Sequence, residues 1–352
     1  MGAGEPGWTA GLFRDREIAD RFSDTAQFAS FARFEQALIA GLAKAGLVEA
    51  SDAAQLSRQI AAFEPDRHAI AEATVRDGVP APDYIRQLRA HVTGPGSSLL
   101  HHGATSQDLI DTATIIALAG VNDILVARLD ALLALIADLT ARDGGNELEA
   151  ITRMQPALRF RASERLASWR RPLEELRDRL PELRARTRML QFGGAVGDLQ
   201  VLGDHAPVIA QTIADELDLV WPGHGWHSAR GPMIAQASWL CELTGALGKI
   251  GQDAALMALR GETDIRLSGG GSSSAMPHKQ NPVTAERLVA LARFNATLIS
   301  GMHQAQIHEM ERSGAAWMLE WMILPQICET AGASLSAASA LIRSIERIGE
   351  PA

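Results

Sequence analysis

From Thr112 to Arg142 apolar residues recur every three or four positions, at Ile115, Ile116, Ala119, Leu125, Leu129, Leu132, Leu133, Ile136 and Leu139. That period belongs to a helix, and a run this long predicts one amphipathic helix of about eight turns. The same spacing predicts helices from about Pro156 to Gln191, Met233 to Arg260, Val283 to Glu311 and Trp317 to Ile348. Strand-like alternation of β-branched residues is scarce, so the expected class is all-α. Helices so long and apolar need a bundle to cover them, extended by partner chains. The first hundred residues read differently. Shorter helical pieces, Asp24 to Ala45 and Ser51 to Ala62, alternate with breakers at Gly46, Pro65, Gly78, Pro80, Pro82, Gly94, Pro95 and Gly96. The expected organisation is a small N-terminal helical domain over 1–100 and a central long-helix bundle over 101–352.

Composition narrows the function classes. The chain has 352 residues, 47% hydrophobic and 21% charged, which fits a folded protein and excludes disorder as a whole-chain description. Lys plus Arg number 33 against 42 for Asp plus Glu, a net charge of -9. That balance argues against nucleic acid or an anionic membrane as the main partner. Cys241 and Cys328 form no CxxC pair and read as reduced core cysteines. The start, Met1 to Trp8, lacks a signal peptide's basic and apolar regions, and Asp130 and Asp138 interrupt the apolar run around Leu129 to Ile136. A cytoplasmic protein is expected.

Two segments stand out chemically. Gly269-Gly270-Gly271-Ser272-Ser273-Ser274-Ala275-Met276-Pro277-His278-Lys279-Gln280-Asn281-Pro282 lies between two strong helices, yet its glycines and serines suit neither helix nor strand. Asn281-Pro282 reads as the N-cap and first turn of the next helix, so this is a loop anchored on a rigid helix start, like an active-site lid. Only three lysines occur, Lys44, Lys249 and Lys279. A lysine kept beside the serine loop offers a compact charge for a carboxylate or for activating a hydroxyl. The second segment, His101-His102-Gly103-Ala104-Thr105-Ser106-Gln107-Asp108, precedes the longest helix. Thr105 or Ser106 can cap that helix, Asp108 suits its first turn, and paired imidazoles stand beside an anion-binding N-terminus. Metal-ligand spacing is missing, so no metal is expected.

Together these segments resemble the fumarase/aspartase superfamily. Its GSSxMPxKxN signature is matched through Ser273, Ser274, Met276, Pro277, Lys279 and Asn281, and an HxGxTSxD segment by His101, Gly103, Thr105, Ser106 and Asp108. Resemblance to the bacterial 3-carboxy-cis,cis-muconate cycloisomerases continues through Phe22-Ser23-Asp24, Gly193 to Gly197, Trp226-His227, Ala237 to Leu240, Leu247 to Asp253 and Glu309 to Arg312. The resemblance implies an all-α homotetramer, each site built from three chains. Carried over, Ser273 is the catalytic base, Lys279 and Asn281 bind a substrate carboxylate and support that base, and Glu286 is the acidic partner that elsewhere pairs with a histidine. Thr105 and Ser106 bind carboxylate, His101 is a substrate-site histidine, and Gln155 belongs to the family's second motif. Met276 in the signature and Arg312 join the expected substrate-binding set. Which of His101, His102 and His278 touches substrate stays open.

Two departures sharpen the expectation. The second motif usually carries a Thr-His pair, and this chain reads Thr152-Arg153-Met154-Gln155. In the lyases that histidine is linked to protonating a poor leaving group. A cycloisomerase opening its lactone expels a carboxylate, whose conjugate acid has a pKa of about 4, so no general acid is required. Arg153 can instead hold the departing anion; the competing assignment pairs it with Glu286 in a dead site. The chain also ends at Ala352, soon after its last bundle helix, where most of the superfamily carries a further helical domain; loss of that accessory domain is expected. The function implied is reversible, cofactor-free lactonisation of 3-carboxy-cis,cis-muconate, a small tricarboxylate. An adenylosuccinate-type lyase and a non-catalytic scaffold are the competing assignments.

Overall fold

The computed structural model describes residues 7–272, 276 and 280–351. Two short helical turns, α1 (Ala10–Phe13) and α2 (Arg16–Ala19), lead into α3 (Asp24–Lys44), α4 (Ala50–Ala61), α5 (Arg67–Asp77) and α6 (Ala81–His91). Then comes α7 (Ser106–Asp143), a single helix of 38 residues. A hairpin of β1 (Glu147–Thr152) and β2 (Gln155–Arg161) precedes α8 (Ala162–Asp178), α9 (Leu180–Thr187) and α10 (Ala206–Leu217). The chain continues through α11 (Gly231–Arg260), β3 (Ile265–Leu267), α12 (Val283–Ala305), α13 (Ala315–Ser344) and β4 (Ile345–Ile348). Helices with two small antiparallel pairs keep the fold in the all-α class.

The stripe read along the sequence is the stripe that α7 buries: Ile115, Leu125, Leu129, Leu132, Ile136 and Leu139 are all core residues, joined by Leu118 and Val121. It packs against α3, α8 and α13, while α11, α12 and α13 pack on one another. The core is one connected apolar cluster running from Ile18 to Ile348. Among the described residues no helix is long and apolar enough to cross a membrane.

The expected helix from Pro156 to Gln191 is corrected. Its first six residues are strand β2, paired antiparallel with β1. Arg153 and Met154 form a two-residue turn with φ of +48° and +64°, the left-handed geometry that hairpin loops demand. Ala157 and Leu158 mimic a helical period, but Leu158 is 77% exposed and serves no core. Helix begins only at Ala162.

Directions in the bundle fix where the site residues go. Near the start of α7, Asp111 is bonded by Arg230, just before α11, and by Trp317, at the start of α13. At the other end of α7, Arg142 donates to the Ile345 carbonyl after α13, and Arg260, closing α11, pairs with Glu149 of the hairpin. Thus α7, α11 and α13 run the same way and α12 returns. The hairpin, β3 and β4 gather at the end where α7 finishes, with Glu147 bridging to Glu350.

Candidate active site

At the start of α7, Asp108 is the organising residue. It is fully buried, and its two oxygens accept four hydrogen bonds. Oδ1 takes the Gly193 amide at 3.0 Å and lies 2.7 Å from His227 Nε2. Oδ2 takes the amides of Gly194 at 2.9 Å and Thr105 at 3.0 Å. The acidic residue that suits a helix's positive first turn therefore also staples the 193–194 loop onto the helix start. Glycine is required where these loops meet. Gly103 has φ +73°, and a Cβ there would fall 2.6 Å from Leu202 Cγ; one on Gly194 would fall 2.8 Å from the Gly103 carbonyl.

Three sequence-expected residues meet on this platform. Thr105 is the N-cap of α7, and half-buried Ser106 is its first residue. Arg312, from the loop between α12 and α13, donates through Nη1 to Thr105 Oγ1 at 2.8 Å and through Nη2 to the Ala195 carbonyl at 2.7 Å. Among the described residues it forms no ion pair, and its Nε is buried without a partner. A guanidinium held by neutral oxygens at a helix N-terminus carries an uncompensated positive charge, which suits a carboxylate. His101 joins them from the loop before α7. Its backbone amide donates to Glu35 Oε2 at 3.0 Å, and its Nδ1 lies 2.6 Å from Glu35 Oε1.

The remaining expected residues sit at the opposite end. Arg153 and Gln155 occupy the exposed tip of the β1–β2 hairpin. Among the described residues no ion pair joins Arg153 to Glu286, which is exposed in the first turn of α12. Asn281 does not cap that helix as expected. Pro282 holds the N-cap position with no side-chain bond, because Asn281 is committed to pinching the neck of the loop. Its backbone exchanges two 2.9 Å hydrogen bonds with Gly271, and its Nδ2 donates to the Gly271 carbonyl at 3.3 Å. Met276 lies on that loop, 42% exposed. Ser273 and Lys279 lie outside the described residues.

One chain therefore divides the candidate residues. A helix of 38 residues is about 57 Å long, and Thr105 and Arg153 flank its two ends. His101, Thr105, Ser106 and Arg312 come together; Arg153, Gln155, Asn281 and Glu286 share the far end.

Sequence reasoning missed two carboxylate–histidine pairs, His101–Glu35 and His227–Asp108, and a buried ionic cluster beneath the platform. Arg230, with no exposed side-chain surface, bonds Asp111 at 2.6 and 3.1 Å and Glu320 at 2.8 and 2.6 Å. Burial alone would raise the Asp111 carboxyl, but Arg230, Gln191 and Trp317 outweigh it and hold that carboxyl below the usual range. Glu35 left a readable signal: it shares one helix face with Phe31, Phe34, Leu38 and Leu42, all of them core residues.

The Lyase family profile matches residues 9–294 of this chain. The 3-carboxy-cis,cis-muconate cycloisomerase of Pseudomonas aeruginosa is 34% identical over 331 residues, covering 92% of this chain and 72% of that protein. Its counterpart from Bradyrhizobium diazoefficiens is 35% identical over 86% of this chain and 69% of its own length. Among solved structures, the 3-carboxy-cis,cis-muconate lactonizing enzyme from Pseudomonas putida superposes with a TM-score of 0.89 at 32% identity, covering 97% of this chain and 77% of that one. The helix-start platform, the necked serine loop and the long bundle are thus parts of one known scaffold, and the chain belongs to the Lyase family, within the fumarase/aspartase superfamily and its cycloisomerase branch.

Proposed function

We propose that this enzyme interconverts 3-carboxy-cis,cis-muconate and its γ-lactone without a cofactor, in sites shared between the chains of a homotetramer. The observation that carries the substrate class is Arg312, a half-buried guanidinium on Thr105 with no carboxylate of its own among the described residues. In lactonisation one substrate carboxylate oxygen forms a C–O bond to the conjugated alkene. The alkene electrons move toward a second carboxylate as an aci-carboxylate, and a proton is delivered to the carbon beside it. Fixed donors must stabilise that charge. Thr105, Ser106 and Arg312 supply them from one copy, with His101 beside them; Lys279 and Asn281 supply them from another. Ser273 hands over the proton in this direction and removes it in reverse, with Glu286 in support and Met276 and Gln155 lining the site. The separation along α7 supports sharing between copies, since no single chain can bring its Arg153 to its own Thr105.

Arg153 supports the cycloisomerase over an adenylosuccinate-type lyase. A departing carboxylate needs a counter-charge rather than a proton, and a guanidinium provides one. Purified enzyme is expected to bleach the diene absorbance of 3-carboxy-cis,cis-muconate and to leave adenylosuccinate intact; the reverse outcome would overturn the proposal. Arg153→His is expected to lower kcat/KM for the muconate by roughly tenfold, through loss of a charge-assisted contact. A faster Arg153→His enzyme would mean that the reaction wants a general acid after all.

A further inference from the structure

Most of the strongest buried charges in this protein are matched. Arg230 answers Asp111 and Glu320, and Asp108 is met by three backbone amides and His227. Glu35 is different. It has no exposed surface and sits on the apolar face of α3 with Phe31, Phe34 and Leu38. An ionised carboxylate in such a place needs every hydrogen bond it can find. Among the described residues both of its hydrogen-bond partners belong to one residue, His101: the backbone amide on Oε2 and ring Nδ1 on Oε1. Among the described residues no arginine or lysine pairs with it.

His101 is held in an unusual state. Its φ is +58°, in the left-handed region that non-glycine residues avoid, so the conformer persists only where surrounding bonds over-determine it. One carboxylate gripping both the amide and the ring of the same residue does that. A carboxylate only accepts, so Nδ1 carries the hydrogen of the 2.6 Å bond. Nε2 is left as the nitrogen with no hydrogen bond among the described residues, and it is not among the polar atoms sealed from solvent without a partner. Four residues later the chain reaches Thr105 and the helix start that holds Arg312.

We propose that Glu35 is a positioning residue: its carboxylate locks His101 with Nδ1 inward and presents Nε2 to the carboxylate-bearing substrate at the start of α7. This rests on the reading of that end as a carboxylate site, and it assigns to the N-terminal helix α3 a part in the chemistry rather than in packing alone. The same clamp fixes which imidazole nitrogen can exchange a hydrogen bond or a proton with the substrate.

The test uses full-length wild type, Glu35→Gln, Glu35→Asp, His101→Gln and the Glu35→Gln/His101→Gln double variant. Solid-state 15N spectra of histidine-labelled protein, with the His101 signals assigned by their loss in His101→Gln, read the ring directly and without substrate. A glutamine at 35 can accept from the backbone amide through its oxygen and donate to Nδ1 through its nitrogen, so the ring hydrogen is expected to move from Nδ1 to Nε2. Turnover of 3-carboxy-cis,cis-muconate is expected to fall by roughly 10- to 100-fold in Glu35→Gln, the loss typical of an outer-shell orienting group. The fall should lie in kcat more than in KM. The double variant should be no slower than His101→Gln, because the two residues act as a unit. Glu35→Asp, which keeps the acceptor with a shorter reach, should retain the Nδ1–H form and recover part of the rate; it also stands in should Glu35→Gln fail to fold. Unchanged His101 signals and rate in Glu35→Gln, or losses that multiply in the double variant, overturn the proposal. A wild type with the expected ring state but no muconate turnover would instead defeat the functional reading and leave the clamp standing.

Discussion

Arg230→Met is expected to destabilise the folded protein by about 3–5 kcal/mol, the usual consequence of stripping one partner from a buried ionic cluster. The side chain has no exposed surface and answers two carboxylates on different helices, Asp111 of α7 and Glu320 of α13. Its guanidinium also stacks on Trp226 at 5.0 Å, so methionine fills the space but leaves two negative charges facing each other in the core. A urea-denaturation midpoint measured beside wild type checks this, and a variant within 1 kcal/mol of wild type (~ the median for an exposed pair) would contradict it. The cluster also sets an acid limit. Because Asp111 is held below its ordinary value when folded, the folded state binds its proton less readily than the unfolded chain does. That contribution is fully present above about pH 4, the unfolded carboxyl range, and is lost as pH falls from there through the folded value. Wild-type stability should therefore decline steeply below about pH 4, and that Asp111 contribution should be diminished in Arg230→Met.

Arg312→Met is expected to lower kcat/KM for the muconate by about 10²- to 10³-fold, the usual effect of removing a fixed donor from a developing charge. Thr105 keeps its place at the N-cap, so stability should change little. Ser273→Ala should be similarly inactive for a different reason, loss of the group proposed to move the proton. If sites are shared between copies, the two inactive proteins carry their lesions in different halves of the site. Co-expressing them should then assemble some sites from undamaged halves, with activity at least roughly tenfold above either variant alone. A mixture no more active than its components would show that each chain builds its own site, which the length of α7 forbids for Thr105 and Arg153.

Much of the frame was legible because long helices advertise themselves. Of the nine stripe residues from Ile115 to Leu139, six are buried in α7 and Ile116, Ala119 and Leu133 are half-buried, and α11 begins and ends close to where the periodicity stops. The hairpin was not legible, since its turn uses Arg153-Met154 where a readable turn would show Asn-Gly, and the apolar residues after it imitate a helix. Asn281 looked like a cap because its neighbours are a proline and a helix; only the fold shows its amide spent on Gly271. The motif residues were found by their chemistry, yet nothing local could show that one chain keeps them some 57 Å apart, because that follows from helix direction. The roles of Glu35 and Arg230 escaped for a related reason: the apolar face around Glu35 signals a buried charge, but neither residue's partner, 66 or 119 positions away, is known until the fold places it there.

The left-handed pair at the hairpin tip sets a trap for anyone hardening this enzyme against heat. Two non-glycine residues at positive φ, exposed and far from the core, are an obvious target, and Asn-Gly there should relieve about 1 kcal/mol of backbone strain per residue. That exchange would also delete the guanidinium of Arg153. If Arg153 holds the substrate carboxylate as proposed, a thermostability screen blind to turnover would favour a tougher and poorer catalyst, and the awkward turn is better left alone.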